Sequence, residues 1–189
     1  MCERQPDNSF WSMFGLATSA HILIRWIRDW TDKTWNRPFY KTLEDGSEQT
    51  KDDIGHLGED LAERFLRTEE HMKTLRRNFQ APKGGEVDIV CRYDDTLVFI
   101  EVKTRTSTAF GRPLEAVTED KQRLIVCGAI EWLRLLRYSD ILFRFDVMEV
   151  LLIPGELPEL TRIGNAFQLP EPIYYPNDSS RGLEDCQRN

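Results

Sequence analysis

The sequence contains little of the chemistry from which zinc sites and disulfide frameworks are built. Its 189 residues include four cysteines and three histidines, with no Cys-x-x-Cys pair and no cysteine–histidine ligand spacing. Cys91 falls in a predicted strand and Cys127 in a predicted helix, which is typical of small buried residues in a reducing compartment. The spacing therefore does not favour a zinc site. We also expect no small-molecule organic cofactor.

A long apolar run is also missing. Residues 10–30 are rich in Trp, Phe, Ile and Leu, but polar and charged side chains interrupt them. No stretch approaches the roughly 18–20 apolar residues that a membrane-spanning helix needs. Two interpretations remain: an amphipathic helix at a membrane surface, or a helix that packs on the main domain or on a partner. We favour packing over membrane association and expect a cytoplasmic protein.

The sequence also lacks an excess of positive charge. The net charge is −7, which excludes a nucleic-acid binder that is basic over its whole length. Basic side chains nevertheless cluster between residues 73 and 112, namely Lys73, Arg76, Arg77, Lys83, Arg92, Lys103, Arg105 and Arg112. Cations around a small acidic centre are what a metal-dependent phosphodiester site requires. Alternating charges on exposed faces would produce a similar composition.

The acidic centre is a predicted β-hairpin. Two runs rich in Val, Ile and Phe flank Asp94-Asp95, which we predict to be the turn. With a two-residue loop, Asp88 lies opposite Glu101, and Glu86 lies opposite Lys103. Side chains alternate faces along a strand, so Glu101 and Lys103 share a face. Directly opposed carboxylates repel each other, and a divalent metal is the natural means of neutralising them.

The hairpin admits other interpretations. Asp-Asp is a poorer two-residue turn than Asn-Gly or Asp-Gly, and a slip of one residue would move Asp88 to the opposite face from Glu101. The same residues could also form the solvated face of an ordinary hairpin, with Glu86 and Lys103 as a cross-strand ion pair.

The remaining pattern divides the chain into three parts. Residues 1–53 are predicted to be an extension with an apolar helix and an acidic linker, 54–168 a compact domain, and 169–189 a disordered tail. Within the domain the expected elements are a helix over 55–70, strands over 73–79, 86–93 and 96–105, a helix capped by Thr118 and running to about 137, and a strand over 141–153. The order α-β-β-β-α-β predicts an α/β fold in which helices flank a mixed sheet.

A series of short motifs resembles the YraN family of uncharacterised bacterial proteins. This family is a branch of the PD-(D/E)xK nuclease superfamily, similar to archaeal Holliday-junction resolvases. The resemblance runs from Gly55 to about Phe167. It is carried by Gly58-Glu59, Arg77-Asn78, Gly85-Glu86-Val87-Asp88, Val98-Phe99-Ile100-Glu101-Val102-Lys103-Thr104-Arg105, Phe110-Gly111, Lys121-Gln122, Arg144-Phe145-Asp146-Val147 and Asn165-Ala166-Phe167. Residues 1–50 have no counterpart in this pattern.

The resemblance implies a restriction-endonuclease-like core and assigns roles to particular residues. Asp88 and Glu101 would bind Mg²⁺ or Mn²⁺, with Glu59 as a further carboxylate for the metal or its water. Lys103 would orient the attacking water or stabilise the phosphate. Gln122, or Lys121 beside it, would contact the scissile phosphate or the water.

Further nucleic-acid contacts are expected from basic residues near this site. The candidates are Arg77, Arg105, Arg112 and Lys121. Asp146 is predicted to be a structural polar residue.

Two functions remain open at this point. The resemblance favours a metal-dependent endonuclease of the bacterial cytoplasm that acts on DNA, including branched or recombination-associated structures. A homodimer is expected by analogy, because junction resolvases cut two strands symmetrically. The alternative is a non-catalytic module that binds nucleic acid or docks a partner within a DNA-processing or membrane-associated complex. The two differ in whether divalent metal and Asp88 are needed.

Overall fold

The computed structural model describes residues 37–43, 45–82, 84–108, 117–137 and 141–169. Within these ranges the chain forms two helices and five strands: α1 Lys51–Thr68, β1 Lys73–Gln80, β2 Glu86–Tyr93, β3 Thr96–Arg105, α2 Glu119–Leu136, β4 Leu142–Leu151 and β5 Glu159–Phe167. The predicted α/β fold is confirmed. The predicted apolar helix of residues 10–30, the tail beyond 169 and Arg112 lie outside the described residues.

The sheet is mixed, as predicted. Its strands lie in the order β1-β2-β3-β4-β5, with β3 and β4 parallel and the other neighbours antiparallel. The strand β5 was not among the predicted elements, because the prolines and polar residues after 153 are more typical of a tail. It pairs with β4 through a ladder that shifts register between Phe145 and Val147.

Capping side chains set where both helices begin. The Thr50 hydroxyl accepts a hydrogen bond from the Asp53 amide at 3.2 Å, and the Asp53 carboxylate accepts one from the Thr50 amide at 2.9 Å. This reciprocal capping box satisfies two amides that lack helical partners and starts α1 four residues earlier than predicted. Thr118 caps α2 as predicted, since its hydroxyl accepts from the Lys121 amide at 3.3 Å.

The two faces of the sheet bury separate apolar cores. On one face the apolar stripe of α1, including Leu61 and Leu66, packs with Ile100 of β3. On the other face α2, including Ile125, packs with Phe99. Because side chains alternate along a strand, Glu101 and Lys103 continue the Phe99 series and lie on the α2 face. This alternation decides which helix can contribute to a site at the end of β3.

A segment before α1 also joins the α1-side core. Phe39 is buried there, its amide donates to the Glu156 carbonyl at 2.8 Å, and its carbonyl accepts from the Gly155 amide at 2.7 Å. Phe39 thus packs on the loop between β4 and β5. Neither described helix has the length and apolar composition that crossing a membrane demands.

The two cysteines of the described residues are both buried, as predicted. Cys91 has a free thiol, and burial raises its pKa to about 12. Cys127 is disulfide-bonded, so the expectation of an unpaired thiol is wrong for this residue.

At Gly58 the helix α1 lies tightly against Thr104 of β3. A Cβ atom at this position would lie 1.8 Å from the Thr104 Oγ1 and 2.9 Å from the Thr104 Cβ. We expect Gly58→Ala to lower the free energy of unfolding by about 1–3 kcal/mol, because the helix must move off the sheet. Urea denaturation measures this loss, and Thr104→Ala in the Gly58→Ala background should restore part of it.

Gly55 of the same helix is the matched control. A Cβ atom there would meet no heavy atom within 4 Å. Gly55→Ala should therefore raise the free energy of unfolding by about 0.8–1 kcal/mol through helix propensity alone. Equal effects of the two substitutions would show that contact with Thr104 does not limit position 58.

Candidate active site

The predicted register of the central hairpin is confirmed between the turn and Ile89. Tyr93 pairs with Thr96, and the ladder continues in step to Ile89 opposite Ile100. Asp94 adopts a left-handed conformation with φ 49°, which aspartate tolerates better than most residues. The β2–β3 ladder has its last pair at Ile89, next to Asp88, and this is where the carboxylates begin.

The side chain of Asp88 bridges the two strands beyond that last pair. Its Oδ2 accepts a hydrogen bond from the Val102 amide at 2.7 Å, which holds the carboxylate beside Glu101. Glu101 is itself only 2% exposed. Burial, and after it the negative charge of Glu101, raise the pKa of Asp88 to about 7, because both effects disfavour the ionised form.

Two lysines offset this negative charge. The Lys103 Nζ lies 2.6 Å from the Glu101 Oε1, and the Lys121 Nζ lies 3.4 Å from the same oxygen. Lys121 also forms an ion pair with Glu86. Burial lowers the pKa of Lys121, but its hydrogen bond to Glu86 and the charges of Glu101, Asp88 and Glu86 outweigh that effect and raise it above the ordinary value. The site therefore combines carboxylates and ammonium groups in contact.

One carboxylate oxygen in this cluster has no partner. The Glu101 Oε2 is buried and makes no hydrogen bond, although a buried acceptor normally requires one. Among the residues that the structure describes, no group of three His, Cys, Asp or Glu side chains is arranged to hold a metal ion. Asp88 and Glu101 remain as a pair of adjacent oxygen donors, which suits a hard cation that keeps several of its waters.

Glu59 lies on α1, which packs on the opposite face of the sheet from α2. Its Oε2 is 3.6 Å from the Arg77 Nη2, and its Oε1 is 4.0 Å from the His56 Nδ1. The same Oε2 is buried without a hydrogen bond. The described ion-pair contacts of Glu59 are therefore with basic side chains of α1 and β1.

Arg77 pairs with three carboxylates of α1. Its Nη1 lies 2.6 Å from Asp60 and 3.2 Å from Glu63, in addition to the contact with Glu59. Burial lowers the pKa of Arg77, but these carboxylates outweigh it and raise the pKa. A phosphate would have to compete with all three acids for this predicted nucleic-acid contact.

The other predicted site residues have partners of their own. Gln122 donates from Nε2 to the Val117 carbonyl at 3.0 Å, so its amide bonds to the residue before the helix cap while Lys121 reaches the carboxylates. Arg105 pairs with Glu149 on the neighbouring strand at 3.3 Å. Arg112 lies outside the described residues.

The partner predicted for Glu86 from the sequence is wrong. The hairpin register placed it opposite Lys103, whereas its carboxylate pairs with Lys121. The cause is a close crossing of α2 over the start of β2: a Cβ atom on Gly85 would lie 2.4 Å from the Gly128 amide nitrogen, and Gly85 has φ 99°. Because neither Gly85 nor Gly128 carries a side chain, α2 comes near enough to β2 for Lys121 to reach Glu86.

Comparison with known proteins identifies the family. The sequence model described as Uncharacterised protein family UPF0102 matches residues 58–150. A UPF0102 protein of Geobacter metallireducens is 46% identical over 116 residues, which are 61% of this chain and 93% of that relative. This chain belongs to the UPF0102 family.

Other UPF0102 proteins show the same extent of similarity. That of Geotalea daltonii is 46% identical over 116 residues, or 61% of this chain and 90% of its own length. That of Rhodococcus opacus is 43% identical over 114 residues, or 60% of this chain and 95% of its own. The predicted resemblance to the YraN-like family is thereby confirmed. None of these names states an activity.

The UPF0102 match encloses the carboxylate cluster. It begins at Gly58, whose place against Thr104 leaves no room for a side chain, and it ends within β4. Asp88, Glu101, Lys103 and Lys121 all lie inside it. The strand β5 lies beyond the match.

Proposed function

We propose that this UPF0102 protein is a metal-dependent endonuclease that hydrolyses phosphodiester bonds of DNA. The observation that carries the proposal is the half-buried carboxylate of Asp88 beside the buried carboxylate of Glu101, with the ammonium groups of Lys103 and Lys121 in contact with Glu101. Two acids placed together and largely shielded from water destabilise the fold unless a cation compensates them. Such an arrangement is typical of a functional site.

Asp88 and Glu101 are the residues that would hold Mg²⁺ or Mn²⁺. The buried, unpartnered Oε2 of Glu101 supports this assignment, because a cation would satisfy it. When bound, the divalent ion supplies Lewis-acid stabilisation of phosphate charge and lowers the pKa of a coordinated water. Glu59 as a further metal carboxylate stays a prediction, and its present contact is with Arg77.

The remaining roles belong to the lysines. Lys103 is held by Glu101 at 2.6 Å, so its ammonium can donate a hydrogen bond to the attacking water or to a phosphate oxygen beside the same carboxylate. Lys121 adds a second positive charge on the side of α2. Together they would neutralise a phosphate that approaches two acidic side chains and would otherwise be repelled.

The substrate class in this proposal is DNA, including branched and recombination-associated structures. The resemblance to junction resolvases supports this choice, as does the clustering of basic residues around the hairpin. A homodimer is part of the same proposal, because symmetrical cutting of two strands requires two active sites related by a two-fold axis.

Cleavage of defined DNA substrates tests the proposal. Purified protein is incubated with a four-way junction, a flap, a single strand and a linear duplex, with Mg²⁺, with Mn²⁺ or with chelator. We expect metal-dependent cutting that Asp88→Ala and Lys103→Ala each reduce by about a hundredfold or more. Asp95→Ala, in the exposed turn of the same hairpin, should cut like the unmodified protein.

The opposite result is equally informative. If no substrate is cut and DNA binding is unchanged by Asp88→Ala, the protein is a non-catalytic binding or docking module. Cutting that survives both substitutions would point to a contaminating nuclease.

A further inference from the structure

Lys121 contacts both a metal-binding carboxylate and an outer one. Its Nζ lies 3.4 Å from the Glu101 Oε1 and pairs with Glu86 as well. Glu101 is buried, with 2% of its side chain exposed, whereas the Glu86 side chain is 44% exposed. The Lys121 ammonium therefore lies between Glu101, which is a ligand of the proposed cation, and Glu86, which is not.

An ammonium and a divalent cation compete for the same carboxylate charge. Lys103 already occupies the Glu101 Oε1 at 2.6 Å, and Lys121 is a second cation at that oxygen. A divalent ion close to Glu101 would repel a positive charge so near, since like charges a few ångströms apart interact strongly even near a protein surface. Glu86 offers that displaced charge a partner on the solvent side.

We propose that Lys121 is a positioning residue that holds the place of the cation in the metal-free site. Its ammonium, hydrogen-bonded to Glu86, also neutralises Glu101 until a divalent ion binds; it then keeps Glu86 as its acidic partner, moves away from Glu101 and faces incoming phosphate. This inference rests on the proposed function, because it takes Asp88 and Glu101 as metal ligands. It adds that the chain weakens its own metal affinity through one lysine.

Direct measurement of Mn²⁺ binding tests this role without any cleavage. Electron paramagnetic resonance of free Mn²⁺, or titration calorimetry, gives the dissociation constant of the full-length chain. We expect Lys121→Met to bind Mn²⁺ about tenfold more tightly or better, a difference of about 1.4 kcal/mol. Lys121→Arg keeps the charge and should leave the affinity near that of the unmodified protein.

Arg123→Met is the control for net charge. It removes one positive charge from the same helix, and its guanidinium pairs with Asp120 rather than with the site. If both methionine variants gain affinity equally, a general charge effect explains the result and the proposal is overturned. Lys121→Gln repeats the test if the methionine variant does not fold, as judged by its thermal unfolding.

The part played by Glu86 is tested by a double-mutant cycle. Glu86→Gln should weaken Mn²⁺ binding, because Lys121 is then left with Glu101 as its acid. In the Lys121→Met background the same substitution should have little effect. An equal effect in both backgrounds would show that Glu86 acts on the Mn²⁺ ion directly and would contradict a role of Glu86 as the partner of Lys121 in the metal-bound site.

The outcomes separate this inference from the proposed function. Mn²⁺ binding with equal affinity in the unmodified protein and Lys121→Met overturns the role of Lys121 and leaves the metal site standing. Loss of binding in Asp88→Ala confirms which residues form that site. Absence of Mn²⁺ binding in every variant, Lys121→Met included, overturns both.

Discussion

Asp88→Asn is expected to make the metal-free protein more stable while ending any metal-dependent cleavage. The asparagine can still accept the hydrogen bond from the Val102 amide, so the link between the strands remains. It no longer places a negative charge beside the buried Glu101. At about pH 8 we expect the free energy of unfolding to rise by up to about 4 kcal/mol.

The sign of this effect follows from the pKa of Asp88. Burial and the charge of Glu101 raise it to about 7 in the folded protein, against an ordinary value of 3.8. Between these two pH values the folded chain keeps a proton that the unfolded chain has released. The free energy of unfolding of the unmodified protein therefore falls as the pH rises from about 4 to about 7, and then levels off with respect to this group.

Urea denaturation across this pH range, with chelator present, measures the effect. The stability difference between the unmodified protein and Asp88→Asn should be near zero at about pH 4 and largest above about pH 7. Asp95→Asn in the exposed turn should show no such trend. A constant difference at all pH values would mean that Asp88 is ionised throughout and that its environment is more polar than the structure indicates.

Asp146→Ala is expected to lower the free energy of unfolding by about 3–5 kcal/mol. Asp146 is fully buried, and its carboxylate accepts hydrogen bonds at 3.0 Å from the Arg144 Nε, the Arg162 Nη1 and the Asn165 amide. Arg162 is bonded in turn to Glu70, just after α1, at 3.0 Å. Removing the carboxylate leaves these donors partly buried without their acceptor.

This network joins the last two strands to the end of α1. Asn165 is held at φ 50°, and the β4–β5 ladder shifts register beside Asp146. A Cβ atom on Gly164 would lie 2.8 Å from the Arg162 Nη1. The buried acid thus fixes an irregular stretch that backbone pairing alone does not specify.

Chemical denaturation of Asp146→Ala and Asp146→Asn tests the prediction. Asparagine keeps an acceptor and should lose less stability than alanine. Glu48→Ala breaks an exposed ion pair of 3.2 Å with Lys41 and should change stability by less than about 1 kcal/mol. A loss at Asp146 no larger than that at Glu48 would contradict a stabilising role for the network.

Much of the fold could be predicted because its determinants are local. The turn at Asp94-Asp95 and the alternation of side chains next to it specify which residues face each other, and the predicted register is the one observed from Tyr93–Thr96 to Ile89–Ile100. Thr118 was recognised as a cap from its position before an apolar period. β5 was missed because its residues alternate weakly between exposed and half-buried, and its pairing depends on β4 and the Asp146 network.

In the candidate site, too, the local features could be predicted from the sequence and the tertiary contacts could not. The sequence by itself determined that Asp88, Glu101 and Lys103 come together on one face of a hairpin, since strand period and turn length are short-range properties. Only the tertiary structure decided that Glu101 is buried, that Lys121 rather than Gln122 reaches it, and that Arg77 pairs with the acids of α1. These outcomes depend on how closely α1 and α2 approach the sheet, and glycine contacts far apart in the chain set those distances.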